Sequence, residues 1–221
     1  MSEIKIAQAA IDLITMEEIG AEYPGDHRYY DKDLIHPTWP GGDSGITVGV
    51  GYDLGQMSKE NIQQDWQGKV NGNYLITMMG CSGLTGQRAK IALNNTVKQI
   101  TIPYEVAMQV FDQSDLPRSY KQAARVYPGL ENLNPETIGA IVSLVFNRGA
   151  ALQGHNREGM AALVPLVAKA DYTGIANTIE AMKTLWPETS GLYKRRINEA
   201  NLIRNSISGT ASSGPVVTIE V

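Results

Sequence analysis

Glu17 and Glu18 close the first amphipathic stretch of the chain. Asp43 and Thr47 stand in a glycine-rich run, Gly41-Gly42-Asp43-Ser44-Gly45-Ile46-Thr47-Val48-Gly49-Val50-Gly51. A carboxyl at a helix end, followed by a turn bearing a carboxylate and a hydroxyl, fits the division of labour in glycoside hydrolysis. One acid protonates the leaving oxygen, and polar groups on the opposite lip handle water or the developing oxocarbenium ion. An ordinary exposed Glu, with a pKa of ~4.3, is already ionised near neutral pH. A like-charged neighbour and a lean toward the apolar side of the helix both raise that value. In helical phase Glu17 lies nearer the centre of the apolar face than Glu18. Two exposed glutamates at a frayed helix end satisfy the same periodicity equally well.

The elements that must hold these groups can be read from periodicity and punctuation. Residues 3 to 19 read as a helix, with Lys5, Gln8, Asp12 and Thr15 on its polar face and Gly20 as its stop. Residues 21 to 46 read as loop. Their aromatics, Tyr23, Tyr29, Tyr30, His36 and Trp39, either line a saccharide groove or anchor the loop itself. Ile46, Val48 and Val50 alternate with Thr47, Gly49 and Gly51, a strand with one nearly bare face. From Ser58 onward the pattern is helical. Caps are expected at Ser58, Thr85, Asn134 and Asp171, and residues 68 to 84 read as a connector or small lobe. The stretch from Ile138 to Arg148 is mostly apolar all round and is expected at the centre of a helical domain.

Composition narrows the classes. A hydrophobic fraction of 43% and a charged fraction of 19% are those of an ordinary globular domain. A net charge of -4 argues against nucleic-acid binding through a basic surface. No run approaches the roughly 20 apolar residues of a membrane span. The start, Met1-Ser2-Glu3-Ile4-Lys5-Ile6, lacks the features of a secretory signal, so synthesis in the cytoplasm is expected, with delivery to any substrate beyond the membrane left to another component. Cys81 is the single cysteine, and His27, His36 and His155 show no ligand spacing, so neither a metal nor a cofactor is expected.

The run Trp39-Pro40-Gly41-Gly42-Asp43-Ser44-Gly45-Ile46-Thr47-Val48-Gly49-Val50-Gly51-Tyr52-Asp53-Leu54-Gly55 resembles the motif of the phage-type lysozymes, glycoside hydrolase family 24, in a longer-looped branch. Phe146-Asn147-Arg148-Gly149 is similar to a segment on that family's central helix. Leu192-Tyr193-Lys194-Arg195-Arg196-Ile197-Asn198-Glu199 resembles its closing helix, with Trp186 upstream. The resemblance touches both ends and the middle, about half of the chain. It implies a muramidase cutting the β-1,4 bond between N-acetylmuramic acid and N-acetylglucosamine in bacterial cell lysis, as a phage endolysin, a virion lysin or a secreted antibacterial effector. Glu18, followed by Ile19-Gly20, becomes the general acid, with Asp43 and Thr47 positioning water. Trp39, Tyr52, Asn147 and Arg148 become substrate-binding residues. Tyr52 stands where many members carry His, and Asp53 beside it either compensates for that His or is a strand-end turn residue. Arg148 and Arg195 are also expected to pair with carboxylates around the cleft.

The expected fold is α+β, mainly α and lysozyme-like, with a hairpin lobe packed on a helical bundle and a cleft between them. The N-terminal helix and hairpin lobe take residues 1 to 57 and the helical lobe 58 to 206. Residues 207 to 221 form a flexible tail ending in a β-prone segment, either an extra strand or a peptide for a partner's sheet edge. Peptidoglycan is the expected partner. A lytic transglycosylase would use one Glu without water, and a non-catalytic wall-binding or virion module could keep the fold without the activity.

Overall fold

The computed structural model describes residues 3–209 and 214–221, and they are mainly helical with two small antiparallel strand pairs. In chain order the elements begin with β1 (Glu3–Ala7), α1 (Gln8–Ile19), β2 (Thr47–Val48) and β3 (Tyr52–Asp53). Helices α2 (Lys59–Trp66), α3 (Gly72–Gly80), α4 (Gly86–Ala92), α5 (Asn95–Lys98) and α6 (Tyr104–Val110) follow. The remainder is α7 (Leu116–Val126), α8 (Pro135–Arg148), α9 (Glu158–Ala168), α10 (Tyr172–Ala181), α11 (Gly191–Ser208) and β4 (Val216–Glu220). These elements divide into two compact units. A helical unit takes Met1–Glu17 and Leu116–Val221, and a hairpin unit takes Glu18–Asp115.

In the helical unit, α8 forms the core. Its residues Ala140, Ile141, Val142 and Leu144 are fully buried, and Asn134 caps it by accepting from the Thr137 amide ahead of a first-turn proline. Helices α7 and α11 pack on α8, while α10 packs on α9 and α11. Gly139 is required here, because a Cβ at this position would collide with Ala10 of α1. The first residues are not helical as periodicity suggests. Glu3–Ala7 is a strand paired antiparallel with Val216–Glu220, Glu3 opposite Glu220 and Ala7 opposite Val216. Ile4 and Ile6 alternate with Glu3 and Lys5, a two-residue period that buries one face, and Ile219 is buried on the partner. The β-prone terminus is thus an extra strand. Much of the expected Gly/Ser linker, residues 210–213, lies outside the described residues.

The hairpin unit has shorter elements and more turns. Ser58 caps α2 as expected, accepting from the Asn61 amide. The segment 68 to 84, expected as a connector or small lobe, contains a helix, α3, capped by Asn71. Thr85, expected as a cap, precedes α4 without a side-chain cap bond, and α4 stops at Ala92, because Asn94 accepts from the amides of Thr96 and Val97 and so starts a new turn, α5. Pro117 lies inside a helical run, two residues after a π-helical turn at Phe111–Asp115.

Candidate functional site

Strands β2 and β3 are two residues each, with Thr47 opposite Asp53 and Val48 opposite Tyr52. Gly49 (φ 59) and Gly51 (φ 72) make the turn between them, and both adopt a left-handed conformation that other residues resist. Ile46, Val48, Val50 and Leu54 are buried, which fixes which way the hairpin faces. Its glycine side is not bare throughout, since Trp66 and Ala107 lie close against Gly49.

Thr47 is held through its backbone. Its amide donates to the Thr38 carbonyl at 2.8 Å, and its carbonyl accepts from the Thr38 amide at 3.0 Å. Its hydroxyl has no hydrogen-bond partner among the described residues, and the residue is half-buried. Asp43 lies in the preceding turn, exposed, with its carboxylate close to Gly86. The Gly86 amide donates to the Ser44 carbonyl at 2.9 Å, which ties that turn to the start of α4. Trp39 donates from its indole Nε1 to the same carbonyl at 3.1 Å, and Lys90 lies over its ring at 5.4 Å.

Asp53 is a turn residue, as its place at the strand end suggests. Its carboxylate accepts from the Gly45 amide at 3.0 Å and the Gly55 amide at 2.8 Å. A side chain on Gly45 would strike both Asp53 and the Gly55 backbone. Tyr52 is a correction to the expectation of a substrate-binding residue. It is 1% exposed, its hydroxyl donates to Asp65 at 2.8 Å, and its ring meets Trp66 edge to face. Asp65 is the residue that sequence reasoning missed. Its signal was an acid sharing one face of α2 with Ile62 and Trp66, which implies a buried partner.

The two glutamates part company. Glu17 belongs to the helical unit, where Asn198 of α11 donates to its carboxylate at 3.4 Å and its charge favours the protonated form of Arg196. Glu18, half-buried on the last turn of α1, belongs to the hairpin unit together with Asp43 and Thr47.

Asn147 and Arg148 lie in the helical unit, half-buried at the end of α8. Arg148 pairs with no carboxylate among the described residues. It donates to the Asn156 carbonyl, and its guanidinium stands 4.9 Å from the centre of the Trp186 ring. Burial, followed by repulsion from Arg157, lowers its pKa. Arg195 pairs with a carboxylate in the core, at 3.4 Å from Glu199, which also receives Arg196 at 2.8 Å and the Ser143 hydroxyl at 2.7 Å. Burial pulls Arg196 down to about 10 and pushes the Glu199 carboxyl upward, against the pull of the two guanidiniums.

Among the described residues, no group of three or more His, Cys, Asp or Glu is arranged to hold a metal ion, and no helix is long and apolar enough to cross a membrane. No curated protein matches the chain. Residues 12–126 match the model of a family described as "Domain of unknown function (DUF8812)", a span that takes in the whole hairpin unit, the end of α1 and all of α7. The match covers more than half of the 221 residues, and the chain belongs to this family.

Proposed function

We propose that the protein is a lysozyme-like muramidase. It hydrolyses the β-1,4 bond between N-acetylmuramic acid and N-acetylglucosamine in peptidoglycan and serves bacterial lysis as an endolysin, virion lysin or secreted effector. The observation that carries the reading is the state of Thr47. Its backbone is paired, its cross-strand neighbour Asp53 is engaged with two amides, and its own hydroxyl is uncommitted. A rigidly held hydroxyl with spare donor and acceptor capacity is what positioning a water requires. The Asp43 carboxylate, exposed on the turn just before it, adds an acceptor for that water's proton. Glu18 is the general acid, since it lies in the same unit as Asp43 and Thr47, whereas Glu17 belongs to the other.

In the reaction, Glu18 delivers its proton to the glycosidic oxygen as the C–O bond breaks. Water held by Thr47 adds to the sugar carbon and gives up its proton to Asp43. The test is to digest purified peptidoglycan with Glu18→Gln and Glu17→Gln and to analyse the soluble ends. Glu18→Gln should lose activity by about 10²–10⁴ with an unchanged circular dichroism spectrum, while Glu17→Gln keeps a substantial part. A reversed pair of results moves the acid to Glu17, and anhydro-muramic products mean transglycosylation. If neither substitution matters, the protein is not a muramidase.

A further inference from the structure

The long segment between Glu18 and Thr47 carries several rings, and the fold uses most of them for itself. Tyr30 is fully buried and donates its hydroxyl to the Ile102 carbonyl at 2.9 Å. His36 bonds the Ile100 carbonyl through Nδ1, and His27 stacks on Tyr104 with centroids 4.7 Å apart. Tyr23 has the Arg28 guanidinium 5.7 Å above its ring, and Trp39 is held at both its indole nitrogen and its face. Tyr29 differs. It is 51% exposed, and its side chain makes no hydrogen bond, ion pair or ring contact with any described residue.

Its mounting is nevertheless firm. Tyr29 precedes a π-helical turn, Tyr30–Leu34, that is closed by the Ile35 amide on the Tyr30 carbonyl at 2.7 Å. The Asp31 amide binds the His27 carbonyl at 2.9 Å, so anchored residues flank Tyr29 on both sides. Short π-helical turns recur at functional sites. The ring also lies against Gly20, where a Cβ would stand 3.4 Å from its Cδ1, and Gly20 is two residues beyond Glu18.

We propose that Tyr29 is a sugar-stacking residue for the glycan strand, a role that rests on the muramidase reading. An aromatic face packs on the C–H face of a pyranose ring, and a phenol with only two side-chain torsions does so at small entropic cost. The ring serves binding. The chemistry stays with Glu18, Asp43 and Thr47.

The experiment measures release of reducing ends from soluble, purified glycan fragments by the full chain as wild type, Tyr29→Ala and Tyr29→Phe. Binding of the same fragments to Glu18→Gln, with and without Tyr29→Ala, is followed by calorimetry. Tyr29→Ala should raise KM and weaken binding by roughly tenfold, with kcat and Tm nearly unchanged. Tyr29→Phe should behave as wild type, because the ring is retained. A wild-type KM in Tyr29→Ala, while wild type releases muramic reducing ends, overturns the stacking role and leaves the muramidase reading standing. A lowered Tm with a lowered kcat, not rescued by Phe, assigns Tyr29 to the scaffold instead. Absence of glycan binding and of product in the wild type removes the muramidase reading, and the stacking role with it.

Discussion

In the helical unit, charge is turned inward. Arg195, Arg196 and Glu199 are each 2% exposed or less; one carboxylate faces both guanidiniums and accepts a hydrogen bond from the Ser143 hydroxyl. In the hairpin unit the buried polar bonds include two from tyrosines, Tyr30 to a carbonyl and Tyr52 to Asp65, while Asp43 and Thr47 make no side-chain hydrogen bond to any described residue. One region uses side-chain chemistry to fix its packing. The other fixes its backbone with glycine turns and amide bonds, which leaves side chains available for a ligand. A buried ion cluster has one good geometry and tolerates little change, whereas a hairpin braced through its backbone can exchange a side chain at small structural cost.

Substitutions at the two places should therefore fail differently. The largest effect is expected at Glu199. Glu199→Ala removes the carboxylate that the buried Arg195 and Arg196 share, which should cost about 3–5 kcal/mol of stability in urea denaturation. A loss under about 1 kcal/mol would mean that the cluster is open to water, and the contrast would collapse. Next comes Thr47→Ala, which should lower the rate of glycan cleavage by about 10² while changing unfolding free energy by less than about 0.5 kcal/mol. Unfolding of the hairpin in that variant would show its hydroxyl to be structural.

The smallest effect is electrostatic and lies at the surface of the helical unit. Lys183 at 2.7 Å and Arg204 at 2.6 Å hold the Glu180 carboxyl below its ordinary value of 4.5. A carboxyl whose folded pKa is depressed contributes stability above its unfolded pKa. That contribution disappears as pH falls from about 4.5 through the folded value. Glu180→Gln should flatten the acid limb of the stability profile by under about 1 kcal/mol, since the group is partly exposed. An unchanged acid limb would show the pair to be screened.

Much of the helical architecture was legible because its signals are local. Ser58, Asn134 and Asp171 read as caps, and each accepts an amide of the first turn it precedes. Strand β1 was missed because its partner lies at the other end of the chain, and short apolar alternation also fits one face of a helix. Within the site, the types and order of Asp43, Thr47 and Asp53 were readable, as was the turn role of Asp53. The burial of Tyr52 was not, since it depends on Asp65, thirteen residues onward. Likewise, helical phase ranks Glu17 above Glu18 on the apolar face, but only packing shows that Glu17 is taken by α11.

The helical unit is assembled from two separate stretches of chain, Met1–Glu17 and Leu116–Val221, with β1 closed by β4. This has a consequence for synthesis. On the ribosome, β1 and most of α1 emerge ahead of residues 18–115 but have nothing to pack against until the later helices and β4 follow. The intervening residues 18–115, by contrast, are all available before β4 is made. The loop that must close to bring β1 onto β4 takes in every element between them, so its entropic cost is the largest of the strand pairings among the described residues and its closure belongs late in folding. The part of the chain that carries Asp43 and Thr47 can thus take shape ahead of the unit made from the two ends.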